Sequence, residues 1–377
     1  MAEERTNIPG DGGILDPDYT VIYHNDDRNL YVEGCGLAKL PEGALMAVVP
    51  VVPSATKGGW AARPSTTRIM RSTDAGRTWN QVYDLPFYTA TPWVHDGALY
   101  LFASSAGTAY RNDNLFLLRS EDGGVSWTDP ALLFTGHYWN CPTGMVMRNG
   151  RIYWALCEFY GSAGTSPRAP RVVAGDLTDP LAPRSWRMSN RPEFPGVPET
   201  FLGQGGDGFR EPWLEQNVIE SEGRLRVICR VKNRTALMDV CGVLDLEDDG
   251  TSLDLRFNRF HPMPGGHLKF SIVHDPVSRL FWTPANPGTK YADRRYLMLL
   301  HSLDGLHWLH AGRIAAAASL QQSFMYGDCV VDGDDLIVAS RTSSGADGMH
   351  NADYATFHRV ADFRRLALPG LTATGDR

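Results

Sequence analysis

Apolar residues along this chain come in short runs, and each run is broken by a tight polar turn. Examples are "GLAKLPEGALMAVV" around Gly43, "PWVHDGALYLFA" around Gly97 and "GMVMRNGRIYWAL" around Gly150. The same unit returns as "NVIESEGRLRVICR" around Gly223, "FSIVHDPVSRLFW" around Ser278 and "CVVDGDDLIVASR" around Gly333. Each reads as a β-hairpin with glycine-type turn chemistry. The turns recur about every 54 residues, with one longer step between Gly150 and Gly223, and a period of that size marks a repeat architecture.

A second polar turn follows within each unit. It is explicit in "RSTDAGRTW" (Arg71 to Trp79), "SEDGGVSW" (Ser120 to Trp127) and "HSLDGLHW" (His301 to Trp308), and degenerate near Asp179, Asp248 and Asp362. Ser and Asp side chains fold back on turn N–H groups and Gly takes the positive φ, so these turns read as structural. Two hairpins per unit make four strands. Six such units in tandem predict an all-β chain: a six-bladed β-propeller of four-stranded antiparallel blades filling residues 1–377 as one domain. The segment "YTVIYHN" (Tyr19 to Asn25) is expected to close the ring beside "ATFHRVADF". The long step predicts an insertion near Ser189 to Gly208, and "GRIAAAASLQQS" is the sole helical candidate.

Composition alters this picture little. The chain is 43% hydrophobic and 21% charged with a formal net charge of −7. No Lys/Arg run tracks a phosphate backbone, which argues against nucleic acid. No apolar run is long enough for a membrane span, and the start lacks an apolar signal segment; the expectation is a cytoplasmic protein, or one secreted after removal of a signal. The cysteines (Cys35, Cys141, Cys157, Cys229, Cys241, Cys329) form no C-x-x-C pair and read as small buried apolar residues. No H-x-x-x-H spacing, G-x-G-x-x-G or phosphate loop is present, so no metal or other cofactor is expected.

If both hairpin turns of a blade lie at one end of the ring, the opposite end gathers the residues that enter the first strand and leave the second. A polar cluster there, on the axis, is the default pocket. Entering residues include Tyr31 and Glu33, Thr91 and Trp93, then His137, Trp139 and Asn140. They continue with Glu211, Trp213, Glu215 and Asn217, then His267 and Lys269, then Gln322, Tyr326 and Asp328. Leaving residues include Glu158, Tyr160, Arg230, Lys232, Asn286 and Arg341.

S-x-D-x-G-x-[ST]-W is the Asp-box (BNR-repeat) motif, and with the propeller pattern the whole chain resembles the sialidase (neuraminidase) superfamily. The resemblance implies a glycosidase whose substrate is a small acidic glycoside or oligosaccharide. In "YGDCVVDGDDLIVASR", Tyr326 falls on the tyrosine nucleophile. Arg230 in "EGRLRVICR", and Arg294 or Arg295 in "RRYLMLLHSLDGLHW", fall on arginines that hold a carboxylate. Glu215 lies one position off the Glu that polarises the tyrosine.

The chain also departs from that pattern. In "YVEGCG", Glu33 stands where the Arg of an Arg-Ile-Pro segment falls, and no Asp occurs between Val52 and Thr73, where the acid/base lies. A clamp that loses an Arg and gains a Glu repels a carboxylate. Two segments, "GGHLKFSIVHDPVSRLFW" and "HNADYATFHRVADFR", look like propeller enzymes that cut uronic-acid or rhamnose-containing glycans, some of them lyases.

Three readings follow. In a hydrolase, Tyr326 is the nucleophile, Glu215 takes its proton, Arg230 and Arg295 hold the anionic group, and Glu33, His267 or Asp328 serves as acid. In a lyase, Tyr326, His137 or His267 abstracts a proton α to a uronate carboxylate that Arg230 and Lys269 neutralise. The third reading is a propeller that binds a glycan or a protein without catalysis. Trp139, Asn140, Glu158, Asp328 and Arg341 complete the set of candidate contacts.

Overall fold

The computed structural model describes residues 14–53, 65–104, 114–160, 168–196, 213–232, 239–288 and 293–368. Their strands form six antiparallel sheets, each a blade of a propeller. Blade I runs from the inner strand pieces Leu30–Val32 and Gly36–Lys39 outward through Leu45–Pro53 and Thr66–Ser72 to Asn80–Leu85. Blade IV follows Trp213–Ser221, Arg224–Val231, Val240–Asp248 and Leu253–Pro262. Blade VI follows Ser323–Asp332, Asp335–Ser343 and Tyr354–Val360, and its outer edge is the N-terminal strand Thr20–His24. The ring is therefore closed by the two ends of the chain: Thr20 faces Phe357 and His24 faces Tyr354.

The hydrophobic pattern explains this architecture. An inner strand is covered by a blade on either side, so Leu45–Pro53 is buried throughout. The outer strand Leu253–Pro262 is exposed on one face and alternates. Apolar side chains of the described residues meet in six clusters: five fill gaps between neighbouring blades, as where Leu101 meets Met46 and Trp282 meets Leu336, and the sixth joins blades VI and I and reaches across the axis to Trp139 and Leu214.

Two of the three repeated polar turns share one geometry, and the third, one residue shorter, keeps the Ser302–Asp304 contact (3.0 Å) and the bond from the Gly305 N–H to Ser302 Oγ (2.9 Å) but leaves Trp308 Nε1 without a partner among the described residues. Ser72 Oγ donates to Asp74 (2.8 Å) and accepts the Gly76 N–H (2.9 Å), the Thr78 N–H donates to Asp74 (2.9 Å), and Trp79 Nε1 donates to the Gly76 carbonyl (3.1 Å). Ser120, Asp122, Gly124 and Trp127 repeat it. A side chain at Gly76 would stand 2.3 Å from the Phe357 ring of blade VI, and one at Gly305 would stand 2.5 Å from Ile219 of blade IV. Each turn thus presses its glycine onto the preceding blade, a blade-to-blade contact that only a residue without Cβ allows.

Two expectations need comment. The Ala-rich segment is not helical: Ile314 and Ala315 are buried in the strand Trp308–Ala316, and a turn follows. The only helical elements among the described residues are two short 3-10 turns, Pro183–Ser185 and Phe363–Leu366. The expected insertion near Ser189 to Gly208 is described only through Gly196, and Glu211 also lies outside the described residues. All six cysteines are buried free thiols.

Candidate functional site

Two inner strands break their ladders in the same way. In blade IV, Leu214 pairs with Arg230 and Asn217 with Ile228, so Glu215 and Gln216 oppose Cys229 alone. In blade VI, Met325 pairs with Arg341 and Asp328 with Ala339, so Tyr326 and Gly327 oppose Ser340 alone. Both are β-bulges, which bend a strand and re-aim a side chain. The first bulged residue takes positive φ in each: 53° at Glu215 and 55° at Tyr326. That conformation costs a side-chain-bearing residue about 1–3 kcal/mol, and it persists only where the surroundings enforce it.

The bulges bring the two side chains to a common arginine. Arg230 Nη1 donates to Glu215 Oε2 (2.7 Å) and to the Tyr326 hydroxyl (3.3 Å), while its Nε donates to the His267 carbonyl (2.9 Å). Glu215 is fully buried, and its Oε1 has no hydrogen-bond partner among the described residues. Burial pushes the Tyr326 phenol well above its ordinary pKa, and the Glu215 charge pushes the same way; Arg230 and Arg294 oppose them.

Two more guanidiniums flank the phenol, Arg341 at 5.0 Å from the ring centre and Arg294 at 5.7 Å. Arg341 sits 3.0 Å from Glu33 Oε2, packs over Tyr31 at 4.9 Å and donates to the His350 carbonyl. Glu33 is therefore consumed by Arg341 and does not face the site as a free negative charge. Arg294 differs. It is buried, its Nη1 reaches only Met325 Sδ (3.5 Å), its Nε has no partner, and no carboxylate ion-pairs with it among the described residues. Burial lowers its pKa, and Arg230 and Arg341 add to that.

The remaining sequence candidates have other duties. Arg295 is bidentate on Asp293 (2.8 and 3.0 Å) and packs over Tyr296, away from Tyr326. Lys269 donates to the backbone carbonyls of Gly327 (2.7 Å) and Tyr326 (3.5 Å). His267 Nδ1 accepts the Asp239 N–H (3.1 Å). Asn140 is spent on Thr143, the Ala155 carbonyl and the Cys141 N–H. Trp139 lies in the same apolar cluster as Tyr326, under Arg168. Glu158 pairs with Arg171 and Arg191, and the half-buried His137 gives its carbonyl to the Phe159 N–H; both stay on blade III.

Below the bulges the axis is crossed by side-chain stitches. Asn217 accepts the N–H groups of Gly144 (2.7 Å) and Ile272 (2.9 Å), and Asp328 accepts the Leu37 N–H (2.9 Å) and the Ser271 hydroxyl (2.6 Å). Beyond this floor a separate cavity of about 530 Å³ opens towards the hairpin turns, lined by Thr91, Trp93 and Asp328 among others. Thr91, Trp93 and Asp328 thus belong to the lower channel.

Sequence reasoning missed His350. It follows the second strand of blade VI, and its ring Nδ1 lies 3.3 Å from Arg341 Nη2. The Arg341 charge, then burial, holds its pKa down to about 2. No spacing signal pointed to it, because the loop brings it back to an arginine near the end of the same strand.

No protein-family model matches this sequence, and no curated protein does. Solved structures do resemble it. A protein of unknown function from Dyadobacter fermentans covers 92% of this chain and 98% of its own at 15% identity, with a TM-score of 0.61. Trypanosoma rangeli sialidase in complex with sialic acid covers 89% of this chain at 14% identity, TM-score 0.60. The match takes in only 55% of that sialidase's length. The α-L-arabinanase of Penicillium chrysogenum complexed with arabinobiose covers 93% and 99% at 13% identity, TM-score 0.61. At such identities the likeness establishes the fold, a six-bladed propeller of the kind seen in sialidases and arabinanases.

Proposed function

We propose that the chain is a glycosidase-type enzyme that cleaves an acidic glycoside or oligosaccharide with Tyr326 as nucleophile. One observation carries this reading: a single nitrogen of Arg230 touches both the Glu215 carboxylate and the Tyr326 hydroxyl. A phenol is a weak nucleophile until a base removes its proton. Arg230 Nη1 sits against Glu215 Oε2, and the unpartnered Oε1 is the lone-pair site that takes the proton as the phenol oxygen attacks the anomeric carbon. The acid for the leaving oxygen is unassigned, since Glu33, His267 and Asp328 are engaged elsewhere.

Charge balance supports an anionic substrate. Arg230 is matched by Glu215 and Arg341 by Glu33, while Arg294 is buried with no carboxylate in ion-pair distance among the described residues. A buried guanidinium of that kind calls for an anionic ligand, and one carboxylate of a uronic or sialic acid supplies it. The structural neighbours that are a sialidase and an arabinanase agree with carbohydrate chemistry on this fold. Elimination fits the geometry less well, because Lys269 is turned to backbone carbonyls.

The test is a screen of acidic oligosaccharides read by product mass and near-ultraviolet absorbance. Saturated products that have gained one water, lost with Tyr326→Phe, support the proposal. Unsaturated products lighter by one water assign a lyase, and tight binding without turnover assigns a glycan-binding propeller.

A further inference from the structure

The strained backbone at Tyr326 needs something to hold it. The bulge turns the carbonyls of Tyr326 and Gly327 out of the ladder, into a region where the neighbouring side chains are buried. A buried carbonyl without a donor is costly, and a bulky residue at φ 55° relaxes unless it is fixed. In blade IV the equivalent carbonyl, that of Glu215, is served from its own strand by Asn217 Nδ2 (3.4 Å). Blade VI has Asp328 at the equivalent place, and a carboxylate cannot donate. The donor comes instead from blade V: Lys269, only 1% exposed, places Nζ 2.7 Å from the Gly327 carbonyl and 3.5 Å from that of Tyr326. No carboxylate is within ion-pair distance of it among the described residues. A side chain at Gly327 would stand 2.8 Å from Pro284 Cβ, also on blade V, so Pro284 and the ammonium together hold the bulge against that blade.

We propose that Lys269 is a positioning residue whose buried ammonium fastens the blade VI bulge and so aims the Tyr326 phenol at Arg230 and Glu215. It acts through Tyr326 and does not touch substrate. The structural part of the inference stands without any activity; its catalytic consequence rests on the reading of Tyr326 as the reacting phenol.

The deciding experiment is a crystal structure of Lys269→Met, paired with kinetics on the full chain. The expected result is a Tyr326 φ that returns to negative values and a phenol no longer within 3.3 Å of Arg230 Nη1, with the other five blades unchanged. Turnover of an acidic glycoside then falls about 100-fold or more in kcat while KM stays within about threefold, since the anion-holding arginines remain in place. A residue that merely supports the fold moves melting temperature and KM together with kcat. Lys269→Gln, which carries a neutral donor on a shorter stem, is expected to restore part of kcat, and it is the variant to use if Lys269→Met does not fold. A Tyr326 that keeps positive φ and its Arg230 contact in the folded variant overturns the inference, whatever the turnover. A phenol that moves in a protein whose wild type cleaves no acidic glycoside leaves Lys269 in its positioning role and removes the proposed function instead.

Discussion

Glu215 and Tyr326 occupy the same position of two matching β-bulges, two blades apart, each with an arginine fifteen residues on: Arg230 after Glu215 and Arg341 after Tyr326. "WLEQNVIESEGRLRVICR" and "FMYGDCVVDGDDLIVASR" are the same hairpin written with different chemistry. The repeat supplies a frame that turns one side chain per blade towards the axis. The identity of that side chain, carboxylate in one blade and phenol in the other, creates the pair that the proposed function reads as base and nucleophile.

That pairing predicts unequal outcomes for two conservative changes. Tyr326→Phe removes only the hydroxyl and a 3.3 Å contact. It should abolish turnover, by roughly 10³-fold or more, and leave the melting temperature within a few degrees. Glu215→Gln should cost as much activity, but it also strips the buried Arg230 of its carboxylate. Breaking a buried pair in this way costs about 3–5 kcal/mol, so this variant should melt markedly lower in calorimetry. Equal melting temperatures for the two would mean that Glu215 and Arg230 do not form a buried ion pair in solution.

Arg294 and Arg295 should separate function from stability. Arg294 is buried with no carboxylate ion-paired to it among the described residues, so Arg294→Met relieves desolvation and should raise the melting temperature while it increases KM for an acidic substrate about 10- to 100-fold. Arg295→Met leaves the buried Asp293 without its bidentate arginine, so it should lower the melting temperature while KM changes less than about twofold. Comparison with an uncharged analogue of the substrate checks the cause: Arg294→Met should not weaken its binding.

Much of this was legible in the sequence because turn chemistry is local. Glycine turns and short apolar runs recur with the blade, and they identify the ring, its closure by the Tyr19–Asn25 segment and the end where Tyr326, Arg230 and Arg341 gather. The direction of each side chain was not legible. A bulge inserts a residue and reverses the inward–outward alternation after it, so strand periodicity alone puts Glu215 off register. Arg294 and Arg295 are adjacent, and only Asp293, which holds Arg295 outside, decides between them. The alanine run was misread because helix propensity gave way to pairing with Tyr296 and Leu297.

The Glu33–Arg341 contact is testable by a double-mutant cycle. Arg341→Met leaves Glu33, 4% exposed, with its charge unmatched and should cost about 3–5 kcal/mol in urea unfolding. Adding Glu33→Gln should recover at least half of that loss, because the orphaned charge is gone. Strictly additive losses would show that the two side chains do not interact. Neither single variant is expected to fold as tightly as Arg294→Met.

The pH dependence of stability should have two edges of opposite sign. Hydrogen bonds from the Thr78 hydroxyl and N–H hold Asp74 at about 2, and the Ser126 hydroxyl and N–H do the same for Asp122. Asp248 is also held at about 2: burial would raise it, but Arg187, the Tyr153 hydroxyl and the Gly250 N–H override that. These carboxylates have folded pKa values below the unfolded value of about 3.9. Their contribution is complete above that value and is lost as the pH falls through the folded one, while His350, held at about 2 against an ordinary value of about 6.5, costs stability as soon as the pH falls below about 6.5; the urea midpoint should therefore begin to fall near pH 6.5 and drop more steeply between about pH 4 and pH 2. Asp248→Asn should flatten part of that drop. Tyr326 behaves in the opposite sense. Its folded pKa is raised above the ordinary value of about 10, chiefly by burial, so the folded protein keeps a proton that the unfolded chain releases. Its stabilisation is complete below about pH 10 and is lost as the pH rises further. Tyr326→Phe should therefore lose less stability between about pH 10 and pH 12 than the parent. Ultraviolet difference titration should find one phenol fewer ionising above the range of the other tyrosines; an unchanged titration would place Tyr326 in water and not against Glu215 and the three arginines.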